Sequence, residues 1–346
     1  MVGLGGLARP TSLLPPEGLI FLSSFTTHSH RHPADKWADR AESALPDSQP
    51  PCGEKVGPAS RRSLPFYPMP RFSIITPSFR NGEWLRLCIA SIADQDVSLE
   101  HIVQDAGSDD GTLNWLPHDP RVRAHVEKDS GMYDAINRGF RKARGDIVAY
   151  LNCDEQYLPG ALQAVEAEFA MRPELDVLLT DLVVVDDAGE YLCHRRSMIP
   201  LKSHLWLRFN VTTCSVFLRR SSLERMDLYF DTRWKALGDL FWYQQMLERG
   251  AKFGVLRRYT SVFTETGGNL ALSATGLAER EEKVKLTPTW IKRAAPLILA
   301  WHRLRLLASG TFFQKPFEYS LYTRASPTER VTNQVTKPQA LWKRPR

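Results

Sequence analysis

Phe72-Ser-Ile-Ile-Thr-Pro-Ser-Phe79 is the stretch of this 346-residue chain from which the fold can be read. Its first five residues form a compact β-rich run with Phe72, Ile74, Ile75 and Thr76, and Pro77 closes it, as at the end of a buried strand. Working outward, residues 83–94 place Leu85, Ile89 and Ile92 on one helical face, with Trp84 and Cys88 beside them. Leu99-Glu-His-Ile-Val103 predicts a second strand, and Asp109-Asp110-Gly111-Thr112 opens a short helix through Trp115. Val122–Val126 predicts a third strand, 132–143 a helix, Asp146–Leu151 a fourth strand, and 159–170 another helix. Further strands are expected at Leu175–Thr180 and Leu182–Val185. Strands separated by helices of this length give βαβ units: an α/β fold with a mostly parallel sheet flanked by helices.

In such sheets the ligand sits outside the carboxyl ends of the strands. Those ends carry Thr76-Pro77-Ser78-Phe79, Asp105, Glu127-Lys128-Asp129 and Asn152-Cys153-Asp154-Glu155. A phosphate site of the P-loop or dinucleotide type needs GxxxxGK[ST] or GxGxxG after a strand, and neither follows any of these. Acidic groups gathered at a sheet edge suit a divalent cation, which in turn neutralises a diphosphate. Asp105 taken alone also suits a turn cap, and Asp109 and Asp110 suit the cap of the helix that follows.

Four segments resemble successive signatures of glycosyltransferase family two: 72–79, Ile102–Thr112, Ser130–Gly139 and Tyr150–Glu155. The resemblance runs over about 71–268. It implies a GT-A (Rossmann-like) fold and transfer of a sugar, with inversion, from a nucleotide-diphosphate donor to a saccharide or glycolipid hydroxyl, in cell-surface polysaccharide biosynthesis. It implies that Pro77, Ser78 and Phe79 lie beside the nucleoside and that Asp105 accepts a hydrogen bond from the base. Asp129, Gly131, Asp134 and Asn137 would border ribose, phosphates and sugar. Asn152-Cys153-Asp154 stands where the family has its DxD motif, with Asp154 the retained carboxylate for Mg²⁺ or Mn²⁺ and Asn152 in place of the first Asp. Arg80 replaces a commoner Asn. Phe230–Trp242 resembles the family's late acidic motif, which makes Asp239 the catalytic base. Inversion by one base needs no covalent nucleophile. A sugar-phosphate nucleotidyltransferase and a non-catalytic nucleotide- or carbohydrate-binding relative are the alternatives.

The chain's net charge of +6 is unevenly spread. Residues 1–69 hold 7 basic and 6 acidic residues, 70–285 hold 27 and 31, and 286–346 hold 11 and 2. Eleven of 23 prolines fall in the first 70 residues. The expected organisation is a disordered Pro-rich leader (1–69), a catalytic domain (70–285) and a basic helical C-terminal extension (286–346). Met69 is a candidate start of the functional chain. His28–His32 lacks carboxylate or Cys partners at metal-ligand spacing and reads as a solvated tract. Five Cys without CxxC spacing indicate neither a disulfide framework nor a zinc site, which fits a cytoplasmic protein. Residues 287–308 predict a helix with Pro296 inside it. Its apolar positions and cations fit either peripheral contact with the inner face of the plasma membrane or plain packing with the cations in water. No nucleic-acid motif accompanies the charge.

Overall fold

The computed structural model describes residues 71–208, 212–267, 270 and 273–341. The proposed leader, with His28–His32 and Met69, lies outside the described residues. The first half runs β1 (Phe72–Ser78), α1 (Gly82–Ala93), β2 (Leu99–Asp105), β3 (Arg123–Val126), α2 (Met132–Lys142), β4 (Ile147–Tyr150), β5 (Glu155–Tyr157) and α3 (Ala161–Met171). Then come β6 (Val177–Asp186), β7 (Tyr191–Arg195), α4 (Lys202–Leu207), β8 (Val216–Arg219), α5 (Arg220–Arg225) and α6 (Gly238–Glu248). The chain continues through β9 (Phe253–Glu265), α7 (Ala274–Leu286), α8 (Thr289–Ala308), β10 (Phe317–Leu321) and β11 (Val331–Val335). The short helix expected from 112 to Trp115 is a 3₁₀ turn at Thr112–Asn114.

One sheet has the order β3-β2-β1-β4-β8-β6-β9-β5, with β7 beside β6. Pairing is parallel from β3 through β4, as the alternation of strands and helices predicts. Past β4 the sheet is mixed, since β8 runs antiparallel to both β4 and β6 while β9 runs parallel to β6. The parallel register sets Ser78 level with Asp105 and Asp105 level with Val126, so three strands end on one line. Side chains alternate along β1: Ile74 faces α1 and α3, while Ile75 faces α2 and α6. Every residue of β1 is buried, as expected of a strand covered on both faces.

Two expected strands are one. β6 runs unbroken through Asp181, whose buried carboxylate accepts from Ser197 N at 2.8 Å and meets Arg196 and Arg257 at 3.3 and 3.1 Å. Those ion pairs from distant segments let a charge stay inside a strand. The C-terminal region holds a β10–β11 hairpin as well as the expected helix. Tyr319, Leu321 and Val335 of the hairpin pack on Val183, Val185 and Val262 of β6 and β9. Arg330 fastens it to Asp94, at 2.6 and 2.8 Å, and to the Tyr157 carbonyl at 3.0 Å.

Gly139 lets α2 lie close on β1, because a Cβ there would meet Ile75 Cγ2 at 2.4 Å. Gly139→Ala should therefore destabilise the fold by about 1–3 kcal/mol through overpacking, outweighing the ~1 kcal/mol that Ala gains in a free helix. Urea unfolding measures this; an unchanged or raised midpoint would show that the interface is looser than described.

Candidate active site

The line of strand ends carries polar chemistry that β1, β2 and β4 hold in place. Asp105 is fully buried and accepts four hydrogen bonds within its own corner. Gly107 N and Ser108 N donate to Oδ1 at 2.9 and 2.7 Å, and the Ser78 and Ser108 hydroxyls donate to Oδ2, each at 2.8 Å. Asp105 thus binds the β1 and β2 ends into a single shelf, the turn-ordering role weighed for it above. Pro77 closes that shelf, its carbonyl accepting from Cys153 Sγ at 3.1 Å. Phe79 stands out from it, 52% exposed, with the Arg80 guanidinium 4.9 Å above its ring.

Arg80 adopts φ +51°, a left-handed conformation that suits Asn better than Arg. Its guanidinium is held by Asp109 through two bonds of 2.5 and 2.7 Å. Asp110 accepts from Gly82 N at 3.2 Å and Thr112 N at 3.1 Å, so it holds the start of α1 as well as the 3₁₀ turn.

The segment after β3 is built by its own carboxylates. Asp129 Oδ1 accepts from Gly131 N at 2.8 Å, and burial raises the Asp129 pKa above the usual carboxylate range. Gly131 enters α2 at φ +124°, a region open to glycine. Asp134 accepts from Ser130 N and pairs with Arg138, each at 3.0 Å. Asn137 faces away from this edge. Its buried amide donates to the Phe230 carbonyl and accepts from Phe230 N, both at 2.8 Å. Through these two bonds Asn137 clamps the 228–237 segment to α2.

After β4, Asn152 and Asp154 present oxygen atoms on either side of buried Cys153. Asn152 Oδ1 is buried without a hydrogen-bond partner. The Asp154 carboxyl is pushed above its ordinary pKa by burial and accepts from Thr266 at 3.5 Å. Glu155 turns beneath them into the core, taking Asn152 N at 2.8 Å, and burial lifts its pKa to about 8. Among the described residues no group of three or more His, Cys, Asp and Glu gathers to hold a metal. An orphaned amide oxygen beside a desolvated carboxylate nevertheless fits a hard divalent cation that takes its remaining oxygens from a bound phosphate.

Asp239 stands in the first turn of α6. Burial raises its pKa to about 7, against the hydrogen bond from Leu240 N and the nearby Tyr133 hydroxyl, with the Glu279 charge adding to the rise; that hydroxyl donates to the Ala236 carbonyl at 3.5 Å. Several contacts bring this carboxylate to the strand-end site. Tyr133 lies in the first turn of α2 and stacks on Phe230 at 4.9 Å. Lys235 Nζ donates to the Ser130 carbonyl at 2.6 Å. Sequence reasoning missed the group that holds the segment. Glu279 of α7 accepts from Lys235 N, Ala236 N and Leu237 N at 2.5, 2.9 and 2.8 Å. It lies in a run of alternating charges that reads as a solvated helix face, so no local signal could have found it.

Residues 73–227 match the sequence profile described as glycosyl transferase family 2. The chain carries a family 2 glycosyltransferase domain. A PGL/p-HBAD biosynthesis glycosyltransferase of Mycobacterium tuberculosis is 33% identical over 122 residues, which is 33% of this chain and 48% of that protein. The chondroitin synthase of Escherichia coli is 28% identical over 144 residues, covering 40% of this chain and 20% of the synthase. The chain thus spans about half the length of the first of these relatives, and less of the second. A crystal structure of S. aureus TarS 1–349 in complex with UDP-GlcNAc superposes with a TM-score of 0.52 at 18% identity, covering 63% of this chain and 65% of that one. That likeness shows the GT-A fold alone. The family 2 match ends at residue 227, so Asp239 and Glu279 rest on geometry.

Removing the Glu279 carboxylate leaves three backbone donors without their acceptor. Glu279→Ala should cost about 2–4 kcal/mol and speed amide hydrogen exchange at 235–237 by at least tenfold. Exchange rates equal to the parent's would mean that the segment is held by something else.

Proposed function

We propose that the protein is an inverting glycosyltransferase. It moves a sugar from a nucleotide-diphosphate donor to a hydroxyl of a saccharide or glycolipid in polysaccharide or glycolipid biosynthesis. The observation that carries this reading is a carboxylate with its pKa near 7, Asp239, held against the strand-end site of a family 2 domain. A base poised near the working pH takes a proton most effectively.

In this reading the Ser78–Asp105 shelf and the exposed Phe79 ring receive the nucleoside, and the corner at Asp129, Gly131 and Asp134 borders ribose and phosphates. Asp154 and the Asn152 carbonyl oxygen would hold Mg²⁺ or Mn²⁺, which when bound neutralises charge on the departing diphosphate. Asp239 removes the acceptor proton as the acceptor oxygen bonds to the anomeric carbon and the bond to the diphosphate oxygen breaks. The two events occur on opposite faces of the sugar, so configuration inverts. Tyr133 orients the carboxylate, while Asn137 and Glu279 fix the segment that carries it.

The nucleotidyltransferase and non-catalytic alternatives are not favoured, since the relatives above are named for glycosyl transfer or polymer synthesis. Cys88, Cys153, Cys193 and Cys214 are buried and unbridged, which supports work in a reducing compartment such as the cytoplasm.

Asp239→Asn should lower turnover by about 10²–10⁴-fold while the dissociation constant for the nucleotide sugar, measured by calorimetry, stays within about threefold. Because the reactive form is deprotonated, the parent's rate should fall as pH drops through about 7. Loss of donor binding in the variant would move Asp239 from base to scaffold, and unchanged turnover would remove it from the reaction.

A further inference from the structure

α8 packs on the rest of the protein by one edge. Ile291 is its buried residue, His302 stacks on His204 of α4 at 3.6 Å, and Arg305 donates to the Ile199 carbonyl at 2.6 Å. The neighbouring side, about a quarter-turn round the helix, is apolar and open. Trp290, Leu297, Trp301 and Leu304 are 61, 76, 57 and 57% exposed. Their spacing of seven, eleven and fourteen residues from Trp290 keeps all four on one stripe of the helix. Phe313, just past the helix end, adds a ring that is 73% exposed. Single exposed apolar residues are ordinary, but a continuous stripe of this length marks a docking surface.

Charge identifies the occupant. Residues 283–317 contain seven Lys and Arg and no Asp or Glu. Lys292, Arg293 and Arg303 are exposed, Arg293 next to the stripe and the other two further round the helix. A second copy docked through this face would bring two net-positive segments together. Nucleic acid would meet the cations but leave Leu297, Leu304 and Phe313 without apolar partners. A surface that is negative at its plane and apolar just beneath satisfies both features, and tryptophans suit that boundary. No described helix is long and apolar enough to cross a membrane, so contact would be in the plane of the surface.

We propose that the Trp290–Leu297–Trp301–Leu304 face of α8, with Phe313, docks on an anionic lipid surface. The proposal is independent of the assignment of Asp239. Since α7 both supplies Glu279 and leads directly into α8, it would also set the catalytic segment at a fixed place relative to that surface, where a lipid-linked acceptor would lie.

Flotation of the full chain with unilamellar vesicles tests this without any sugar substrate. Binding is expected to phosphatidylcholine vesicles containing about 30% phosphatidylglycerol, to be weak on pure phosphatidylcholine, and to weaken as salt rises. Leu297→Glu/Trp301→Glu should weaken apparent binding by about tenfold or more, with an unchanged melting temperature because both side chains are exposed. Trp290→Ser/Leu304→Ser gives a second, uncharged disruption should the first unfold. The proposal is overturned if the parent fails to float with anionic vesicles, if it floats equally with neutral ones, or if both double variants float like the parent. A concentration-dependent dimer broken by Leu297→Glu, without vesicle binding, would give the face to a second copy. Binding of double-stranded DNA in place of vesicles would assign it to nucleic acid.

Discussion

Three backbone N–H groups at residues 235–237 converge on the carboxylate of Glu279, and the arrangement of the site depends on that convergence. The segment between α5 and α6 has little regular structure of its own, yet it leads Asp239 back toward strand ends formed far earlier in the chain. Two buried polar clamps do this. Glu279 gathers the segment from the α7 side, and Asn137 pins Phe230 to α2. Each is fully hydrogen-bonded, so burial becomes a reason for a single geometry rather than a penalty. Between the clamps, Phe230 stacks on Trp242 at 4.4 Å and on Tyr133 at 4.9 Å, an aromatic filling of the segment that leads to Asp239.

Desolvation shapes the chemistry at both ends of the site. Asp239 and Asp154 each sit where burial lifts a carboxyl group above its usual range, and they answer it differently. Asp239 exchanges its proton near neutrality, which suits the base proposed for it. Asp154 lies beside an orphaned amide oxygen, a setting in which a cation relieves the cost of an ionised carboxylate. The mild acidity of residues 70–285 serves this, whereas the positive charge of the chain belongs to the C-terminal region and to α8.

Much of the parallel half was legible because its physics is local. β1 and β4 are buried on both faces and read as largely apolar runs, α1 shows its apolar spacing, and the carboxylates at strand ends follow from the fold rule. What stayed hidden was decided by distant partners. Asp181 looked like a break between strands until Arg196 and Arg257 paired it. The β10–β11 hairpin alternates exposed polar residues with Tyr319, Leu321 and Val335, a pattern too thin to stand out in a basic tail. Asn137 pairs with a residue 93 positions on, and Glu279 has meaning only beside residues more than forty positions away.

The most direct test of the account is a crystal structure of the chain with an intact nucleotide sugar and Mn²⁺, the metal located by anomalous scattering. The account predicts the metal at Asp154, the nucleoside on the Ser78–Asp105 shelf, and Asp239 on the face of the sugar opposite the diphosphate. A nucleotide bound elsewhere, or Asp239 on the same face as the leaving group, would contradict it.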